Sequence, residues 1–108
     1  MNYSDVKEAI RLSGYVITEV VSGGAGGVDT LGEQWAVENK LPIKRFLPDW
    51  EKHGRAAGPI RNREMAKYAE AVIVVWDGQS RGSQSMMREA GNNQRPCYVH
   101  IKQQIKPD

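Results

Sequence analysis

A single α/β domain, three layers thick around a mostly parallel sheet of about four strands and four helices, is the fold class that this sequence predicts. Three observations predict it. Short β-rich runs alternate with segments whose apolar residues recur at helical spacing, and that alternation implies parallel strands joined by crossover helices. Ala71-Val72-Ile73-Val74-Val75-Trp76 is apolar without interruption, as a parallel strand covered on both faces must be. A β-rich run ends in Ser22-Gly23-Gly24-Ala25-Gly26-Gly27 and passes directly into an amphipathic pattern, so strand, glycine turn and helix follow without a spacer. A chain of 108 residues has room for one such domain and one core.

The elements can be justified in order. Residues 4–13 read as a helix: Ser4 is placed to cap it, Asp5 suits its first turn, Val6, Ala9 and Ile10 form an inward stripe, and Gly14 stops it. Residues 16–22 read as a strand. Val28, Leu31, Gly32, Trp35 and Ala36 share a face of a second helix running to about Lys40. A short strand begins at Leu41 to Phe46. Residues 47–58 read as a loop, long for a compact α/β unit and therefore a functional candidate. Pro59 suits the first position of a third helix, in which Asn62, Met65, Ala66 and Ala69 face inward. After the strand at 71–76 comes a polar turn, Asp77 to Ser83. A fourth helix then carries Ser83, Met86, Met87 and Ala90 on its inner face and ends at Gly91. Cys97 to Ile101 is the last strand, and 103–108 reads as a polar tail.

Composition narrows the function classes. With 40% hydrophobic and 26% charged residues the chain reads as a soluble globular protein. No apolar run approaches a membrane span, and the first residues lack a signal-peptide pattern. One cysteine, Cys97, excludes an internal disulfide, fits a reducing cytoplasm and reads as a small packed residue. Two histidines and one cysteine, far apart, give no metal-ligand spacing. The glycine turn is not the dinucleotide fingerprint and has no Walker lysine, so no cofactor is implied. A net charge of +2 neither demands nor excludes nucleic acid.

In a parallel sheet, ligands bind beyond the carboxyl ends of the strands. Three polar segments arrive there: Ser22 to Asp29, the stretch Gly58-Pro59-Ile60-Arg61-Asn62-Arg63, and Asp77 to Ser83. Glycine backbone and helix N-termini offer N–H groups to an anion. Arg61 and Arg63 can fork onto phosphate or carboxylate, and Asp29 or Asp77 can take a ribose hydroxyl. Each piece has a plainer role as well. Asp29, Ser80 and Ser83 can be caps, the arginines can be solvated or paired, Asn62 can tie down a loop, and Trp50 and Trp76 can be packing residues. The convergence of these pieces at one edge weighs more than any one of them.

Val21-Ser22-Gly23-Gly24-Ala25-Gly26-Gly27-Val28-Asp29, Ala57-Gly58-Pro59-Ile60-Arg61-Asn62-Arg63-Glu64-Met65 and Trp76-Asp77-Gly78 with Ser80-Arg81-Gly82-Ser83 resemble the YspA-type branch of the SLOG (SMF/DprA–LOG) superfamily over roughly residues 3–101. The resemblance implies a Rossmann-like fold and binding of nucleotides, nucleotide sugars or related ligands. By motif it implies ligand contacts at Ser22, Gly23, Gly24, Gly26, Asp29, Arg61, Asn62, Arg63, Gly82 and Ser83, to which the reading of the sheet edge adds Asp77. The wider superfamily includes phosphoribohydrolases that release cytokinin bases and single-stranded-DNA-binding recombination mediators. Three departures stand out. The family's usual opening strand, with its Gly-Ser-Arg-like turn, is absent, and Gly26-Gly27 stands where an arginine is common. Met86 occupies the place of the phosphoribohydrolase glutamate, which argues against glycosidic chemistry.

The expected function is a binding module for a nucleotide-derived, phosphate-bearing small molecule, such as a nucleotide, a nucleotide sugar or an ADP-ribose-like ligand, and in that role a sensor. The alternatives are a hydrolase of N-glycosidic or phosphoester bonds in nucleotides, and a single-stranded nucleic-acid module using Arg55, Arg61, Arg63 and Arg81 with Trp50 as stacking face. An incomplete, inert site is a further possibility. Loss of a central strand would expose a sheet edge, from which a homo-oligomer is expected.

Overall fold

The computed structural model describes residues 2–24 and 28–101. The elements run α1 (Tyr3–Ser13), β1 (Val20–Ser22), α2 (Val28–Glu38), β2 (Ile43–Arg45), α3 (Trp50–His53) with a 3-10 turn (Gly54–Ala56), α4 (Ala57–Tyr68), β3 (Val72–Trp76), α5 (Arg81–Asn92) and β4 (Cys97–Ile101). This is the expected α/β alternation, consistent with a Rossmann-like domain. The strands are parallel: β1 pairs with β2, Val20 opposite Ile43, and β3 pairs with β4, Val72 opposite Cys97 and Trp76 opposite Ile101. The sheet is divided, however, into two two-stranded halves.

β3 is the centre of the core. Val75 packs with Val6 and Ala9 of α1, joined by Ile10, Val28, Leu31 and Ile73. Val72 and Val74 pack with Ala90 of α5, joined by Trp76, Met86, Met87 and Val99. Alternate residues thus enter opposite layers, which is why the run 71–76 had to be apolar throughout. Helix α1 touches both halves, its stripe seated on β3 with Val28 and Leu31 of α2 packed against the same cluster.

Several local expectations are corrected. Asn2, not Ser4, caps α1: its side chain accepts from the Asp5 amide at 3.0 Å, and Asp5 Oδ2 accepts from the Asn2 amide at 2.8 Å, a reciprocal capping box. β1 begins at Val20 rather than at residue 16, because β2 offers only three partners and Val16 is 92% exposed. β2 is Ile43–Arg45, shorter than 41–46. The stretch 47–58 is no open loop. Asp49 accepts from the Lys52 amide at 3.1 Å and starts α3, and α4 begins at Ala57, ahead of Pro59. Helix α2 stops at Glu38, and α5 passes Gly91 to end at Asn92. Cys97 is exposed, not packed. Residues 102–108, including the expected tail, lie outside the described residues, as do Ala25, Gly26 and Gly27.

Candidate functional site

The turn after β1 is fixed from below. Ser22 is 2% exposed; its hydroxyl donates to Glu33 Oε2 at 2.6 Å and accepts from the Gly24 amide at 3.1 Å. Glu33 Oε1 in turn accepts from Arg45 Nε at 2.9 Å and from a terminal nitrogen of Arg45 at 2.5 Å. Hydrogen bonds from Arg45, and secondarily from Ser22, hold the Glu33 carboxyl below the usual carboxylate range. The Ser22 side chain therefore organises the turn. The sequence reading missed Glu33. Its signal was present, one helical turn after Asp29 on α2, opposite a basic strand residue.

Gly24 sits at φ +70, a left-handed conformation that an L side chain rarely adopts. Gly23 is buried for a different reason. The Arg61 guanidinium lies directly over it and donates to its carbonyl at 2.6 Å, so a Cβ there would come within 2.8 Å of Arg61 Cζ. Arg61 Nε also donates to Asn62 Oδ1 at 2.9 Å, and Asn62 Nδ2 donates to Ser85 Oγ on α5 at 3.1 Å. Asn62 is 8% exposed and its amide is satisfied on both sides. The ion pairs among the described residues are Arg11–Glu8 and Arg45–Glu33; Arg61 is positioned by neutral acceptors and keeps its charge uncompensated by a described carboxylate.

On the other side, Asp77 shapes the turn from β3 into α5. Its Oδ1 accepts from the Gln79 and Ser80 amides at 2.8 Å each. Those two bonds hold its carboxyl below the ordinary aspartate value. Trp76 Nε1 donates to the Ser80 carbonyl at 3.2 Å, fixing the same turn.

Between these turns lies a cleft of about 360 Å³ at the carboxyl ends of β1 and β3. Asp29, Arg61, Asn62, Asp77, Gly82 and Ser83 line it, as do Ser80 and Met86. Six of the eleven expected site residues thus meet in one cavity. Gly23 touches it through Arg61, and Ser22 and Gly24 form the turn behind. Arg63 is exposed and does not line the cleft. Gly26 lies outside the described residues. A guanidinium with no described carboxylate partner, the N-terminus of a 12-residue helix and two carboxylates surround a space of small-ligand size. That combination can hold an anion against a polyol. Among the described residues there is no group of three or more His, Cys, Asp or Glu side chains able to hold a metal. No helix among them is long and apolar enough to cross a membrane.

The chain is 38% identical over 77 residues to the Gene 61 protein of Mycobacterium phage D29, a name that states no activity. The match covers 66% of this chain, and the chain spans 62% of the length of that relative. No solved structure matches it. Residues 8–53 match the model of the YspA, cpYpsA-related SLOG family. That segment runs from α1 through α3 and contains the glycine turn, Asp29 and the Ser22–Glu33–Arg45 relay. Over that segment the chain is similar to the YspA, cpYpsA-related SLOG family.

Proposed function

We propose that the protein is a binding module for a nucleotide-derived small molecule bearing phosphate. The observation that carries the proposal is the cleft of small-ligand volume lined both by Arg61 and by the N-terminal residues of α5, Gly82 and Ser83. In this reading the phosphate takes the Arg61 guanidinium and the amides and hydroxyl of Gly82 and Ser83. Asp29 or Asp77 accepts from a sugar hydroxyl, and Asn62 holds Arg61 in place. The family match supports a nucleotide-related ligand. Binding is proposed rather than turnover because Met86 lines the cleft, and a thioether has no proton to transfer.

The test is a thermal-shift screen against nucleotides, nucleotide sugars, ADP-ribose and inorganic phosphate, followed by calorimetry on the best ligand. At 100 times its Kd a ligand should stabilise the fold by ~2.7 kcal/mol, a shift of several degrees for a chain of this size. Arg61→Ala should weaken binding by ~1.5–3 kcal/mol, the worth of a charge-assisted contact, while Arg88→Ala on the exposed side of α5 should not. Unchanged affinity in Arg61→Ala overturns the placement. Trp50, 58% exposed on α3, favours one second reading, a single-stranded nucleic-acid surface. That reading requires an affinity falling steeply with salt and lost in Trp50→Ala.

A further inference from the structure

The charges that line the cleft do not match those of a terminal phosphate. Among the described residues Arg61 is the one cationic side chain in the lining, and Asp29 and Asp77 are two anionic ones. Arg61 is held by the Gly23 carbonyl and the Asn62 amide oxygen, both neutral. Asp77 is held by the Gln79 and Ser80 amides, also neutral, and those bonds favour its ionised form. Arg61 and Asp77 thus already balance, and Asp29 takes the lining beyond neutrality. Arg63 and Arg81 are exposed and do not line the cleft, and Ala25-Gly26-Gly27 brings no charged side chain. What the lining offers an anion besides Arg61 is dipolar: the first turn of α5 at Gly82 and Ser83, equivalent to about half a charge.

Such a site neutralises one negative charge. A phosphomonoester carries close to two at about pH 8, because its second ionisation falls near pH 6. The second charge finds no second cation and faces two carboxylates across a cleft of about 360 Å³. It also loses water against Met65, Ile73 and Met86, which share the lining. A phosphodiester carries a single charge and meets none of these costs. We infer that the cleft selects the singly charged phosphodiester of a small nucleotide derivative over the terminal phosphate of a free nucleotide. This rests on the reading of the cleft as a nucleotide phosphate site, and narrows it.

The test is calorimetry on the intact chain with the four ribonucleoside 5′-monophosphates and their phosphomethyl esters, pairs that differ in one methyl group and one charge. At about pH 8 the ester of the preferred nucleoside should bind about ten-fold more tightly than its monophosphate. At about pH 5.5 the monophosphate is mostly singly charged and the gap should close to about two-fold. The charged side chains of the lining are Arg61 from α4, Asp29 from α2 and Asp77 after β3, and no histidine or cysteine is among them, so the titrating group in this range is the phosphate. Asp77→Asn keeps an Oδ1 acceptor for the Gln79 and Ser80 amides and should shrink the gap at the higher pH to about three-fold. A monophosphate that binds as tightly as its ester at the higher pH overturns the inference and leaves the phosphate site standing. A gap that survives unchanged at the lower pH overturns it too, because the methyl group and not the charge is then preferred. If neither member of any pair binds, the phosphate site itself falls and the inference with it. A 3′,5′-cyclic mononucleotide or a nucleotide sugar should displace the bound ester and so name the source of the diester. Stronger displacement by a short oligothymidylate overturns the inference in favour of a nucleic-acid backbone.

Discussion

Gly23 and Arg61 show how one position can separate binding from stability. The guanidinium occupies the volume that a Gly23 Cβ would need, and it is the mobile end of a flexible side chain, not backbone. Gly23→Ala should therefore fold with a Tm close to that of the parent, yet displace Arg61 from the Gly23 carbonyl and weaken a phosphate ligand about ten-fold or more. Calorimetry beside a thermal melt checks both halves; loss of stability with full affinity would mean that Arg61 does not act from this position. Glu33 supplies the pH dependence. Its folded pKa lies below the unfolded value of about 4.3, because the ionised form accepts from Arg45 and Ser22. Its contribution is thus complete above that value and is lost as pH falls through the folded pKa. Arg45 is 57% exposed, so the pair is worth less than ~1 kcal/mol after screening. Denaturant melts from about pH 6 down to pH 3 should show a shallower decline for Glu33→Gln than for the parent. Parallel curves would remove Glu33 from the account of acid sensitivity.

Among the elements, the α4–α5 contact is the one that aims the site. Asn62 reaches Arg61 on its own helix and Ser85 on the next, from a position 8% exposed. Asn62→Ala leaves the half-buried Ser85 hydroxyl and Arg61 Nε without these partners and should cost ~1 kcal/mol, the net worth of such hydrogen bonds. It should also reduce ligand affinity, since Arg61 loses one of its two anchors. A melt and a titration on one sample decide it: a stable variant with normal affinity would reduce Asn62 to an incidental contact. The inward placement of Asn62 was legible from its spacing with Met65, Ala66 and Ala69. The strand at 72–76 and both of its covering helices were legible from uninterrupted apolar character and helical stripes, because local pattern decides those elements. The bounds of β1 were not legible. A strand extends only as far as its partners do, and the partner of Val20 to Ser22 lies twenty-three residues on. The short helix α3 hid inside a presumed loop, although Asp49 three residues before Lys52 is an N-cap signal. Glu33 escaped for a similar reason: its meaning depends on Arg45, which only the fold brings beside it.

At the scale of the whole molecule, the divided sheet leaves its halves to be joined by side chains: Val6 of α1 in the core, beside the Arg61–Gly23 and Tyr68–Glu19 hydrogen bonds from α4. The β1–α2–β2 half has Ala36 as the buried residue of its helix and strands of three residues, whereas the β3–α5–β4 half has five-residue strands around Val72, Val74 and Ala90. No strand ladder connects the halves among the described residues. Val6, 4% exposed, is the side chain of α1 seated on Val75, with Val28 and Leu31 of the other half packed against the same cluster. Removing its two methyl groups should cost ~1–3 kcal/mol and should loosen the halves from one another rather than weaken both equally. Trp35 lies on α2 and Trp76 on β3, so each half carries its own fluorophore once Trp50 is replaced by phenylalanine. With either tryptophan retained alone, urea unfolding of the parent should give coincident midpoints, the mark of one cooperative unit. In Val6→Ala the Trp35 midpoint should fall below that of Trp76, because the half with shorter strands and less buried apolar surface depends more on α1. Midpoints that fall together in Val6→Ala would show that the halves are joined by something other than this helix. Since the cleft takes Asp29 from one half and Asp77, Gly82 and Ser83 from the other, a separated Val6→Ala transition would also mean that ligand bridges the two. Saturating ligand should then bring the two midpoints back together.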